Sequence, residues 1–131
     1  MNGSERAKTY RLMAAKDRHA LSLMTEASGV AVEIFGFHVQ QAVEKGLKAW
    51  LCMLEANFPK KHDLKALAFL IRQAGGVIPE EFLPLLSFTD FATTFRYDAY
   101  DAFDAPLNRE EIVELVGRFL MHVDRLLDEG S

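Results

Sequence analysis

The chain has 131 residues, with 15 Lys and Arg against 19 Asp and Glu, and half of it is hydrophobic. One domain of that size can bury a core without disulfides or metal, and the composition excludes a disordered chain. A lone cysteine, Cys52, excludes an internal disulfide and a cysteine-based zinc cluster, no apolar run nears the roughly 20 residues of a membrane span, and the opening MNGSERAKTYR lacks the apolar centre of a signal peptide. The expectation is a cytoplasmic protein of one domain, residues 1–131, without membrane contact.

Ala7, Tyr10, Ala14, Asp17, Leu21 and Met24 recur at steps of three and four, which predicts a first helix of about 20 residues with Ser4 as its cap. Ser28-Gly29 interrupts the pattern. A second helix should begin near Val30–Glu33 and run to about Ala56, with Val43, Leu47, Trp50, Leu51 and Leu54 inward. Gln41, Glu44, Lys45 and Lys48 fall on the opposite side, and Ala42, Ala49 and Ala56 form a stripe that would let another backbone come close. Asn57-Phe58-Pro59 stops this helix, because proline cannot continue it.

Asp63 reads as the N-cap of a short helix over Leu64–Gln73, ended by Gly75-Gly76. Pro79-Glu80-Glu81 reads as the next start, with Pro84 delaying regular helix. The triplets Tyr97-Asp98-Ala99, Tyr100-Asp101-Ala102 and Phe103-Asp104-Ala105 fit no helical core stripe and read as a loop closed by Pro106. Asn108 with Glu111 resembles a capping box, and Ile112, Leu115, Val116, Phe119, Leu120, Val123, Leu126 and Leu127 give the clearest helix of all. No strand pattern appears, so the fold class is all-α, an up-and-down antiparallel bundle of about five helices. The alanine stripe and the many aromatics point to a dimer face.

Charge is uneven: residues 38–73 carry a net +3 and residues 79–131 a net −8. A basic middle reads either as ordinary solvated helix faces or as a local site for a phosphate, a nucleotide or an acidic partner. His19, His38, His62 and His122 are never three or four apart, as helix-borne metal ligands would be, and Asp98, Asp101 and Asp104 lack the spacing of a calcium loop. No metal and no cofactor is expected. Asp17 stands on an apolar stripe, so it needs either a cation, for which Lys45 and Arg96 are the candidates, or a route to water.

The densest signal is the run Phe37-His38-Val39-Gln40-Gln41-Ala42-Val43-Glu44-Lys45-Gly46-Leu47-Lys48-Ala49. It is followed by Lys60-Lys61-His62-Asp63-Leu64 and then by Arg96-Tyr97. With Ala15-Lys16-Asp17 on the first helix, this order resembles the HEPN family over nearly the whole chain. The resemblance implies a dimerising helical bundle that binds nucleotides and is often encoded beside a minimal nucleotidyltransferase, in pairs of toxin–antitoxin type. Other members are metal-independent ribonucleases, in which an Arg is followed after four to six residues by a His. Here Arg96 is the candidate Arg, and Asp101, Ala102 and Phe103 stand where the His should fall. Asp98 also stands where a proline often follows Arg-Tyr. The binding reading therefore carries over and the ribonuclease reading does not, because a cation without a base near neutral pKa binds phosphate but does not cleave it. No catalytic residue is assigned.

The expected ligand residues are Gln41, Lys45, Lys48, Arg96 and Tyr97, with Asp17 and Asp63 as structural polar residues. Lysine offers a point charge, arginine a bidentate fork, glutamine a neutral hydrogen-bond pair and tyrosine a stacking surface. The expected partners are a second copy, a nucleotide and a nucleotidyltransferase-like protein. The competing readings are a degenerate ribonuclease and a dimeric scaffold without a small ligand.

Overall fold

The fold comes from a computed structural model that describes residues 3–26, 30–60, 62–89 and 109–129. The triplet repeat, Arg96, Tyr97 and the Asn108 cap lie outside the described residues. Among the described residues there are four α-helices and one 3-10 helix, and no strand. The α-helices are α1 (Gly3–Glu26), α2 (Val32–Met53), α3 (Leu64–Gln73) and α4 (Arg109–Glu129), and the 3-10 helix, Glu80–Thr89, lies between α3 and α4. None of the helices is long and apolar enough to cross a membrane.

α2 is the axis of the bundle and packs against all four other segments, most extensively against α1. From Ile34 to Cys52 only Ile34, Phe37, His38, Gln41 and Lys45 escape burial. Its apolar residues therefore face several neighbours at once, which is the pattern of a central helix. Ala42 and Ala49 are wholly buried within the single chain, so these two alanines of the stripe are used inside the protomer, while Ala56 is half-buried and lies beyond the end of α2. Gly46 marks the crossing with α4: a Cβ there would stand 2.6 Å from Phe119 Cε2 and 3.0 Å from Leu120 Cδ2. Larger residues would force these helices apart. Arg11 ties α1 to α4, with Nε 2.6 Å from Asp124 Oδ1 and Nη2 donating to Oδ2 at 2.8 Å.

The helix ends show where local chemistry governs. α2 stops at Met53, three residues short of Ala56, and does so before the proline acts. Glu55 takes a φ of 56°, its N–H bonds Cys52 O at 3.1 Å and the Ala56 N–H bonds Leu51 O at 3.0 Å. That is a Schellman closure with a non-glycine residue in the left-handed position. α3 ends in the same closure, with Gly75 at φ 95° and Gly76 N–H on Ile71 O at 2.9 Å. α1 already includes Gly3, so Ser4 is a helical residue and not a cap. The segment after Pro79 is helical but of the tighter 3-10 type, and Pro84, which lacks an N–H, sits within it.

Candidate functional site

Between Ile34 and Cys52, the five residues of α2 that stay open, Ile34, Phe37, His38, Gln41 and Lys45, are spaced i, i+3, i+4, i+7 and i+11. They form one stripe along the helix, apolar at the Ile34–Phe37 end and polar at the Gln41–Lys45 end. Phe37 is 40% exposed. The loop before α3 meets the polar end and brings His62 to it. Asp63 fixes that loop, because its Oδ1 accepts the backbone N–H groups of Lys65 and Ala66 at 3.0 and 3.2 Å.

Under the polar end lies Glu44, fully buried. Its Oε1 accepts Gln40 Nε2 and His62 Nδ1, each at 2.7 Å. Its Oε2 accepts Lys48 Nζ at 3.0 Å and Lys45 Nζ at 3.3 Å. Four donors on two oxygens use the acceptor capacity of a carboxylate. Burial pushes the Glu44 carboxyl up, but the hydrogen bonds from Gln40, Lys48 and His62, together with the charge of Lys48, outweigh it and hold the group below its ordinary value. Glu44 is therefore an anion at neutral pH and can only accept, so His62 Nδ1 must carry a proton. Gln40 completes the network: the same Nε2 also donates to the His62 carbonyl at 3.1 Å, and its Oε1 accepts Gln41 Nε2 at 2.8 Å.

This arrangement corrects the expected solvated face of α2. Glu44 is inside, the Lys48 side chain is 8% exposed and that of Lys45 is 15% exposed. The physical reason is the His62 loop, which closes over a face that the helix alone would leave to water. Gln41, Lys45 and Lys48 are indeed brought together, but as parts of a network centred on Glu44. Asp17 pairs with His38, at 3.1 Å between Nδ1 and Oδ1, while Lys45, one of the two cations expected for it, is held by Glu44. Arg96 and Tyr97 lie outside the described residues.

Gln40, Glu44 and His62 were missing from the expected site residues. The signal was present: Gln40, Glu44 and Lys48 are spaced four apart, a helix row on which side chains meet. What the spacing could not show was the residue arriving from 18 positions downstream. Chemically, two ammonium groups, one carboxylate and one amide leave an excess of one positive charge beside a half-exposed imidazole. That suits an anion. Among the described residues no group of three potential metal ligands comes together.

A search of curated proteins and a search of solved structures return no significant match. A family model, that of the HEPN domain, matches residues 7–126, a span that includes α2, the His62 loop and the whole Glu44 network. The chain belongs to the HEPN domain family.

Proposed function

We propose that this HEPN chain is a non-catalytic binding module for a phosphate-bearing ligand such as a nucleotide, acting as a homodimer beside a nucleotidyltransferase-like protein in a pair of toxin–antitoxin type. The observation that carries the ligand reading is the convergence of Lys45 and Lys48 on one oxygen of buried Glu44. The carboxylate holds both ammonium groups in place and neutralises only one of them. A ligand phosphate is then attracted to a preorganised cation and loses little to side-chain ordering. Lys45 is the more exposed and the more loosely held of the two, so it makes the contact. The non-catalytic part rests on the sequence, in which no histidine follows Arg96 at the ribonuclease spacing.

Fluorescence anisotropy with a labelled adenine nucleotide tests the ligand reading. Wild type should bind, and Lys45→Met, which removes one charge and leaves Lys48 to pair with Glu44, should weaken binding at least tenfold. Equal binding by both proteins, or none by wild type, refutes it. Light scattering of the purified chain tests the dimer. Co-expression with the product of the adjacent reading frame, followed by affinity capture on a tag on this chain, tests the partner.

A further inference from the structure

The HEPN network contains a group with no part yet in ligand binding. His62 is half exposed, with its Nδ1 bound to a buried anion. Because Glu44 can only accept, the Nδ1–H bond is kept whether the ring is neutral or charged. The two states differ at Nε2 alone, on the far side of the ring from Glu44. In the neutral ring that atom is a bare lone pair, which repels an anion. In the charged ring it is an N–H donor with a full positive charge behind it.

We propose that His62 is a third anion-binding group of the Glu44 site and that it engages only as the imidazolium, so that acidification switches the site to tighter anion binding. This rests on the reading of the Lys45–Lys48 cluster as an anion site. The groups that face His62 set the charge that an anion meets. From α2 these are Glu44, Lys45 and Lys48, which together carry one positive charge in excess; protonation raises that to two. On its own loop, Asp63 turns its carboxylate to the α3 backbone. The Gln40 amide holds the His62 carbonyl at 3.1 Å, which fixes the backbone that carries the ring. His38 is a built-in comparison. It too is bound through Nδ1 to a carboxylate, that of Asp17, but it stands seven residues before Lys45 on α2, about 10 Å along the axis. At that distance salt largely screens its charge.

Sulfate is the probe, because it stays a dianion across the range in which imidazoles titrate, whereas phosphate does not. Calorimetric titration of the full chain with sulfate at constant ionic strength, from pH 8 to pH 5.5, should show affinity rising about five- to tenfold for wild type, the size expected of one added charge close to a dianion. His62→Asn keeps a donor for Glu44 and cannot charge, so its affinity should stay flat from pH 8 to pH 5.5. His38→Asn should keep the wild-type slope. Sulfate binding that does not change with pH, or a slope that survives in His62→Asn, overturns the role of His62 and leaves the anion site standing. No sulfate binding at any pH overturns both.

Discussion

Glu44→Gln is the sharpest probe of the network. The change keeps the shape of the side chain and removes its charge, and it turns one acceptor oxygen into an NH2 group. Whichever way the amide turns, that NH2 faces donors: Gln40 and His62 on one side, Lys45 and Lys48 on the other. Removing one partner of a buried ion pair costs about 3–5 kcal/mol, because the other charge is left without a counter-ion. The ammonium groups here keep a narrow route to water, with 8% and 15% of their side chains exposed, so the low end applies, about 3 kcal/mol. With a urea slope of about 1.5–2 kcal/mol per molar, the midpoint should fall by roughly 1.5–2 M.

A second variant separates lost bonds from stranded charge. In Glu44→Gln/Lys48→Met one ammonium is gone, so at least about 1 kcal/mol should return. The pH profile is a further check. The folded carboxyl titrates below its ordinary value of 4.5, so the unfolded chain binds the proton first on acidification. The stability that Glu44 contributes is therefore complete above pH 4.5 and is lost as pH falls through the folded value; in Glu44→Gln that loss disappears. A midpoint shift worth less than about 1 kcal/mol, with an unchanged slope, would refute the claim that Glu44 anchors the network.

Other expectations follow from single residues. Glu55→Gly should stabilise the chain by about 0.5–1 kcal/mol in the same assay, because glycine accepts the left-handed φ of 56° without the Cβ clash. Gly46→Ala should cost about 1–3 kcal/mol, because the new Cβ meets Phe119 at 2.6 Å where α2 and α4 cross. His122 packs against Trp50 and Phe82, and burial, helped by Arg125, pushes its imidazole below 6.5. Stability should therefore fall as pH drops through and below 6.5, and His122→Phe should flatten that part of the profile, read by fluorescence of Trp50, the sole tryptophan.

The fold could be read where one residue decides one local event. The place of Asp63 before Leu64 announces a capped start, Gly75 announces a left-handed stop, and the apolar period of α4 needs no partner to be seen. Reading failed where two local signals compete or where a distant segment decides. Pro59 is a strong stop signal, yet α2 had already closed through Glu55, a residue whose ordinary conformational preference argues against that closure. The strain is offset by two satisfied backbone bonds, which no propensity for glutamate records.

The site failed to show for a related reason. Charged residues on a helix are normally placed in water, and by that rule Gln41, Glu44, Lys45 and Lys48 make a solvated face. The rule weighs each residue alone. A carboxylate with four donors is no longer the group the rule describes, since its desolvation is repaid by bonds that form together or not at all. Gln40 matters more than its neutral side chain suggests, because its single amide bonds both Glu44 and the backbone of the loop that covers it. The burial of Glu44 and the position of His62 are thus one event. Neither α2 nor the loop completes the cluster by itself: Gln40, Glu44, Lys45 and Lys48 come from the helix, and the fourth donor to the carboxylate, His62, comes from the loop.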